Sequence, residues 1–371
     1  MDRGDLDRLL RMLSDLDGSD LHLKAGAPPR MRIAGMLRTL EDEPRFTATE
    51  TEEMAKSIMQ PKILENFLEH HEADFAYSVP GLGRFRVNAF YQRSSVAMAM
   101  RRVRTNAATI GELGLPDVVR RLSEEHRGLV LVTGPTGSGK TTTLAAMIDH
   151  INHTRACHVV TIEDPVEYLH SDDLAAIDQR EVGFDTDSFG SAMRVVLRQD
   201  PDVILVGEMR DVETVSAALT AAETGHLVFS TLHTINSTET INRIVDFFPP
   251  HQQNQVRVSL AGSLKGIICQ RLLPMADGKN RTPALEILVV NGRIQQAIVD
   301  PALTADIEGI VADGEYYGMR TFDQSLVDLV AAGSVDLREA MTAATNPHDL
   351  KVLLERRGIL QTGQYAAANY G

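Results

Sequence analysis

Tryptophan is absent from this 371-residue chain, and aromatic residues make up only 5% of it. Its core must therefore be filled by aliphatic side chains. Cysteine is scarce as well. The two present, Cys157 and Cys269, lack metal-ligand spacing, and no secretory signal supports a bridge, so both are expected as buried thiols. Basic charge is in deficit, with a net charge of −14. A surface of that sign does not by itself attract DNA, RNA or anionic lipid, so no direct nucleic-acid partner is expected. Long apolar runs are missing: none approaches the roughly 20 residues that cross a bilayer. The acidic start Met-Asp-Arg-Gly-Asp-Leu-Asp does not read as a signal peptide. These absences point to a cytoplasmic protein with no transmembrane segment, one that could still dock on a membrane protein.

The length favours two domains. Residues 1–103 read as a small α+β domain. Helical spacing runs from Leu6 to Leu16 and from Thr49 to Leu68. Strand-like stretches cover Ser19 to Leu23, Met31 to Ile33, Leu37 to Leu40, Ala73 to Ser78, Gly83 to Tyr91 and Val96 to Val103. Residues 104–116 are polar, then rich in turn formers, and read as a linker. Residues 117–360 change texture. Short aliphatic runs, Gly128 to Thr133, His158 to Ile162, Val203 to Val206 and Leu227 to Leu232, alternate with helices such as Asp211 to Glu223. Strands buried on both faces of a parallel sheet have this composition. From about Phe247 the pattern reads as mainly helical, and residues 361–371 as a loose tail. No internal repeat is present.

The strongest motif is Gly134-Pro135-Thr136-Gly137-Ser138-Gly139-Lys140-Thr141, which fits G-x-x-x-x-G-K-[ST]. Its glycines let backbone N–H groups turn inward around phosphate oxygens. Lys140 would reach the β- and γ-phosphates of ATP, and the Thr141 hydroxyl would meet Mg²⁺. An apolar strand precedes the loop and a helix follows it, whose positive end faces the same anion.

A second strand, Asp202-Val-Ile-Leu-Val-Gly-Glu208, ends in a carboxylate. Gly207 stands near the place where many such ATPases carry a metal-binding Asp. Glu208 is then cast as the group that orients and activates water, and the metal relies more on Thr141 and another acid. Glu163 and Asp164 close a third strand, where a carboxylate could hold Mg²⁺ through water; Asp164 before Pro165 could equally cap a turn. His226 precedes and His233 follows a fourth strand, where each could report phosphate state or cap the sheet.

Together these motifs resemble a family. The order is the phosphate loop, Thr161-Ile-Glu-Asp-Pro165, Leu205-Val-Gly-Glu-Met-Arg-Asp211, then Thr224-Gly-His226 through Thr231-Leu-His233. It is similar to the secretion-ATPase superfamily. Gly83-Arg-Phe-Arg-Val-Asn-Ala-Phe90 and Gly318-Met-Arg-Thr-Phe-Asp-Gln324 resemble the type IV pilus retraction ATPases of the PilT and PilU types.

The resemblance implies an α/β chain with a PAS-like N-terminal domain and a RecA-like P-loop NTPase domain, assembled as a homo-hexameric ring. ATP would lie between the two domains. Such rings sit at the inner face of the cytoplasmic membrane and dock on an inner-membrane pilus platform protein; a paralogous retraction ATPase is a further expected partner. Carried over by residue, the resemblance gives residues 134–142, Thr142 included, to nucleotide binding, with Thr141 and Glu163 toward Mg²⁺. Glu208 becomes the base, with Glu163 and His233 beside it in catalysis, and His226 a nucleotide-sensing residue. From the N-terminal domain, Arg84, Arg86 and Arg101, with Arg93 and Arg102 nearby, are candidates to contact the nucleotide. Alternation places Arg84 and Arg86 on one strand face.

Two cysteines cannot form the Cys₄ zinc site of many extension ATPases, and the long N-terminal region of those enzymes is also missing. Both departures favour retraction. Asn291 to Val299 departs from the Ala-Ile-Arg-Asn motif linked to retraction in the PilT type. A pilus-assembly or type II secretion ATPase and a RecA-like nucleic-acid translocase are the alternative readings.

Overall fold

The structure, a computed structural model, describes residues 3–105 and 107–360. The stretch read as a loose tail lies outside the described residues. The chain divides into two compact units, one comprising Met1–Thr105 with Glu167–Leu169 and the other Asn106–Val166 with His170–Gly371.

The first unit is built on strands β1 (Gly18–Lys24), β2 (Arg30–Ile33), β3 (Met36–Thr39), β4 (Glu72–Val79), β5 (Gly83–Gln92) and β6 (Ser95–Arg102), in the order β3-β2-β1-β6-β5-β4. Every neighbouring pair is antiparallel. Helices α1 (Arg3–Asp15), α2 (Ala48–Ile58) and α3 (Pro61–His70) supply Leu6, Leu9, Leu10, Leu13, Met54 and Phe67 to a core shared with Leu21, Phe75, Phe85, Val87 and Met100. The alternate strand residues, Asp20, His22, Arg84, Arg86 and Arg101, occupy the other face, as a period of two requires.

One helix was expected from Thr49 to Leu68, and two are present. Thr47 starts α2 with a capping box to Glu50. The chain then turns extended at Met59 and Gln60, because Pro61 restricts the residue before it and takes the first position of α3. Glu167–Leu169 groups with the first unit, where the Arg104 guanidinium donates to the Tyr168 hydroxyl at 3.0 Å.

The second unit carries strands β7 (Gly128–Thr133), β8 (His158–Glu163), β9 (Ala176–Glu181), β10 (Val203–Val206), β11 (Leu227–Leu232), β12 (Leu264–Pro274) and β13 (Arg281–Val289), in the order β13-β12-β7-β11-β10-β8-β9. All pairs are parallel except β12 with β13. Helices α4 (Asp117–Ser123) and α5 (Lys140–Thr154) cover one face. Helices α6 (Phe189–Val196), α7 (Val212–Glu223), α8 (Ser237–Asp246) and α9 (Pro250–Ser263) pack on the other. That second core continues into α10 (Gly292–Val299), α11 (Ile307–Ala312), α12 (Phe322–Ala331), α13 (Leu337–Ala343) and α14 (Pro347–Arg356). Ile110 and Leu115, from the stretch read as linker, are buried in the first of these cores.

The mainly helical reading beyond Phe247 is corrected by β12 and β13, two long strands that widen the sheet. Apolar residues of β12 feed both faces, Ile267 and Cys269 toward one core and Ile268 toward the other. Such a run has no alternation, and periodicity alone does not separate it from a buried helix. Cys269 is fully buried as expected, whereas Cys157 is only half-buried.

Candidate active site

The parallel register fixes where chemistry can gather. Strands β7, β8, β10 and β11 lie side by side and point the same way, so their C-terminal ends share one edge of the sheet. Their side chains are almost wholly buried, which leaves the loops leaving that edge to carry polar groups.

At the end of β7 the phosphate loop turns through Gly134, Gly137 and Gly139, all with positive φ (140°, 79° and 92°). Gly134 has a second reason to be glycine. A Cβ there would stand 2.4 Å from the Gln270 carbonyl oxygen and 2.6 Å from Ser138 Oγ. Pro135, Thr136 and Gly137 form the exposed crest, and Ser138 is buried beneath it. The Lys140 ammonium folds back on the loop, donating to the carbonyls of Gly134 at 2.8 Å and Pro135 at 3.1 Å. Burial lowers its pKa, and the Glu208 carboxylate acts in the opposite direction. Thr141 and Thr142 follow in the first turn of α5. Gly139 caps that helix without a side-chain hydrogen bond, which leaves first-turn N–H groups to an anion.

Glu208 lies two residues past β10. Its carboxylate is bracketed: Arg210 Nη2 lies 2.7 Å from Oε2 and His233 Nε2 lies 3.4 Å from Oε1. Burial pushes the Glu208 pKa upward, but the charge and hydrogen bonds of Arg210 and His233 outweigh it, and the pKa lies below the ordinary value. The loop around Glu208 is pinned on both sides. Gly207 N–H donates to the Ile162 carbonyl at 2.8 Å, Met209 N–H to the Thr231 carbonyl at 3.2 Å, and the Thr231 hydroxyl to the Gly207 carbonyl at 2.6 Å.

Glu163 ends the neighbouring strand. A Cβ on Gly207 would be 3.4 Å from the Glu163 Cα, so the two strand ends are in close contact. Glu163 Oε1 accepts from the Thr161 hydroxyl at 2.7 Å and from Gln179 Nε2 at 3.2 Å, which fixes the carboxylate at the edge of the sheet.

Phosphate loop, Glu163, Glu208 and His233 therefore share one edge. His226 does not. It precedes β11, and its carbonyl accepts from Gly128 N–H at the start of β7, the opposite end of the strand from the loop. Its Nδ1 lies 2.9 Å from the Ala221 carbonyl. His226, carried over as a nucleotide-sensing residue, is therefore not on the edge that bears Glu163, Glu208 and His233, a correction to that expectation. Six strand residues separate the two histidines, and a strand rises about 3.3 Å per residue.

Arg84, Arg86 and Arg101 belong to the first unit. Arg86 and Arg101 are paired across β5 and β6, and Arg101 Nε donates to Asp20 at 2.8 Å. Arg102 is tied to Asp17 at 2.6 Å. Sequence reasoning did not single out Arg210 or Gln270. Arg210 had a readable signal, since it stands two residues from Glu208 in an extended loop. Gln270 had none, because it lies in an apolar run without alternation that reads equally as a buried helix.

Among the described residues no group of three or more His, Cys, Asp and Glu is arranged to hold a metal. Mg²⁺ does not need such a cage, because it takes one or two protein oxygens and completes its shell with phosphate and water. Thr141 and Glu163 are hard oxygen donors of that kind, so the residues present fit the ion.

A glycine-rich loop between strand and helix, with a carboxylate past the end of β10, one strand removed on the same edge of a parallel sheet, defines a P-loop ATPase. The chain matches the family Type II/IV secretion system protein over residues 19–342, and it belongs to that family. It is 44% identical over 345 residues to the type IV pilus retraction ATPase PilT of Pseudomonas aeruginosa, covering 93% of this chain and 99% of that protein. It is 40% identical over 351 residues to the type IV pilus ATPase PilU of the same organism, covering 95% and 91%. A crystal structure of the pilus retraction motor PilT with bound ADP superimposes with a TM-score of 0.85 at 47% identity, covering 93% of this chain and 98% of that one.

Proposed function

We propose that this chain is an ATP-hydrolysing motor that powers type IV pilus retraction, and with it twitching motility. The observation that carries the chemistry is the Glu208 carboxylate, held ionised by Arg210 and His233 on the sheet edge that also bears the Lys140 loop. The direction of the motor rests on the two retraction relatives, each aligned along nearly its whole length.

In this reading Lys140 and the loop N–H groups bind the β- and γ-phosphates, and residues 134–142 fix their position. Glu208 orients the attacking water and accepts its proton, Glu163 on the neighbouring strand end serves the metal or the water beside it, and His233 reads whether the γ-phosphate is present. Bound Mg²⁺, held by Thr141 and Glu163, would neutralise phosphate charge. An arginine from the first unit, Arg84, Arg86 or Arg101, stabilises the transition-state charge. The working parts are an N-terminal domain of residues 1–103 and an ATPase domain of residues 117–360, with most of the intervening stretch 104–116 belonging to the second unit, where Ile110 and Leu115 are buried. A homo-hexameric ring at the inner face of the membrane, docked on an inner-membrane platform protein, turns hydrolysis into pilin removal.

The test is Glu208→Gln, which keeps the shape and removes the base. Fluorescent ADP should bind as in the wild type while ATP turnover falls by about two orders of magnitude. Wild-type turnover in this variant would sink the base assignment. At the level of the cell, deletion should leave hyperpiliated cells that do not twitch, whereas bald cells would identify an assembly ATPase.

A further inference from the structure

Gln270 is the residue whose surroundings the proposed chemistry leaves unexplained. It lies on β12, the strand beside β7, one residue beyond Cys269, which pairs with Thr133 at the end of β7. Gln270 is therefore level with the start of the phosphate loop. It stands near both glycines that bound the loop. Its backbone carbonyl stands 2.4 Å from where a Cβ on Gly134 would be, and its side-chain Nε2 stands 3.9 Å from where a Cβ on Gly139 would be. Alternation along β12 puts its side chain on the face of Ile268, the face covered by α5, whose first turn is the loop exit.

The residue is 2% exposed, and its Oε1 is buried with no hydrogen-bond partner among the described residues. A second orphan lies in the same loop: Ser138, also 2% exposed, has a buried Oγ with no partner. Buried polar atoms are nearly always paired, because an unmade hydrogen bond in a dry interior is costly. An apolar side chain of the same length would suit this position better if packing were all that mattered. Two unpartnered polar atoms under one anion-binding loop mark a place where the hydrogen bonding changes with the state of the loop.

We propose that Gln270 is a positioning residue for the nucleotide phosphates: its carboxamide takes up the loop's hydrogen-bonding groups when phosphate fills the loop. Lys140 now spends its ammonium protons on the Gly134 and Pro135 carbonyls. An incoming phosphate draws that ammonium away and reorients the loop peptides. The Gln270 carboxamide, with an acceptor and two donors on one group, is placed to satisfy the loop groups released or turned by that change. It acts through the loop and does not touch the reacting atoms. The assignment rests on the phosphate-loop reading of residues 134–141.

The experiment uses the full chain carrying Gln270→Met, which keeps length and removes both polar atoms, with Gln270→Glu and Lys140→Ala beside it. ADP and pyrophosphate are titrated, and melting temperature is read with and without each. Gln270→Met should melt at or above the wild-type temperature without ligand, because the orphaned acceptor has gone. Its affinity for ADP and for pyrophosphate should fall by the same factor, about tenfold, the worth of one buried hydrogen bond. Gln270→Glu should lose more, since it sets a negative charge under the phosphates. Unchanged affinity for both ligands in Gln270→Met overturns the proposal. So does a drop in melting temperature that is equal with and without ligand, the mark of a packing role alone. If Lys140→Ala has lost ADP while Gln270→Met has not, only the Gln270 assignment falls. If Lys140→Ala keeps ADP, the phosphate-loop reading beneath it falls.

Discussion

The two sheets of this protein solve the same burial problem differently, and the difference decides where each can carry chemistry. Among the described residues of the first unit, the antiparallel sheet has helices on one face only. Its strands alternate, so Phe75, Phe85 and Met100 go to the core while Asp20, Arg86 and Arg101 stand on the other face. The parallel sheet of the second unit is covered on both faces. Strands β7, β10 and β11 are buried at every position, and no polar face is left. Function there is confined to strand ends. A sheet with helices on one face can present charges such as Arg86 and Arg101 on the other, while the strands β7, β10 and β11, buried throughout, leave their functional charges to the loops at one edge. Lys140, Glu163, Glu208 and His233 are gathered by that constraint.

The largest expected effect tests the edge. Lys140→Ala should abolish nucleotide binding, measured by titration with fluorescent ADP, because no other ammonium is held in the loop. Retained micromolar binding would mean that the loop is not the phosphate site and that the edge has another use.

A smaller effect separates the two sheets by stability. Leu131, on β7, is fully buried, and Leu131→Ala should destabilise the second unit by about 2–5 kcal/mol in denaturant unfolding. Leu37, on the edge strand β3, is 45% exposed, and Leu37→Ser should stay within about 0.5 kcal/mol. Equal costs at the two positions would contradict the contrast between a sheet buried throughout and one with an exposed edge.

The smallest effect concerns a buried carboxylate on β13, the antiparallel edge strand of the second unit's sheet. Glu286, on β13, accepts from Ser237 N–H at 2.7 Å at the start of α8. Burial raises its pKa, although the Ser237 hydrogen bonds pull the other way. The folded state then holds this proton more tightly than the unfolded state does. The associated stability is complete below the ordinary carboxylate pKa and is lost as pH rises through the raised folded value. Glu286→Gln keeps an acceptor for Ser237 and removes the charge. Its melting temperature should exceed wild type by about one or two degrees at pH 8, and the gap should close toward pH 4. A gap that widens on acidification would reverse the sign of the assignment.

Much of this was legible in the residues. The loop 134–141 is a local motif, and its strand and helix follow from short aliphatic runs and from glycine. The open sheet of the first unit was visible because period-two alternation survives when one face is solvated. The break at Pro61 was legible in principle, since proline restricts the residue before it, but the helical spacing on either side hid it. Strands β12 and β13 were hidden for the opposite reason. A strand buried on both sides has no alternation to read, and Leu264 to Leu273 suits a buried helix as well as a buried strand.

The sequence by itself determined the ATP-binding loop, the family and the identity of the acids and histidines, because these depend on which residue types stand at fixed short spacings. Only the tertiary structure decided which of them meet. It set His233 beside Glu208 and His226 at the far end of the same strand, since a parallel strand separates its two ends in space however similar their residues look in sequence. It added Arg210 to the carboxylate and brought Gln270, 130 residues past Lys140 in the numbering, under the loop. Contacts between distant residues are set by strand order and register, and those are properties of the whole sheet that no single segment carries.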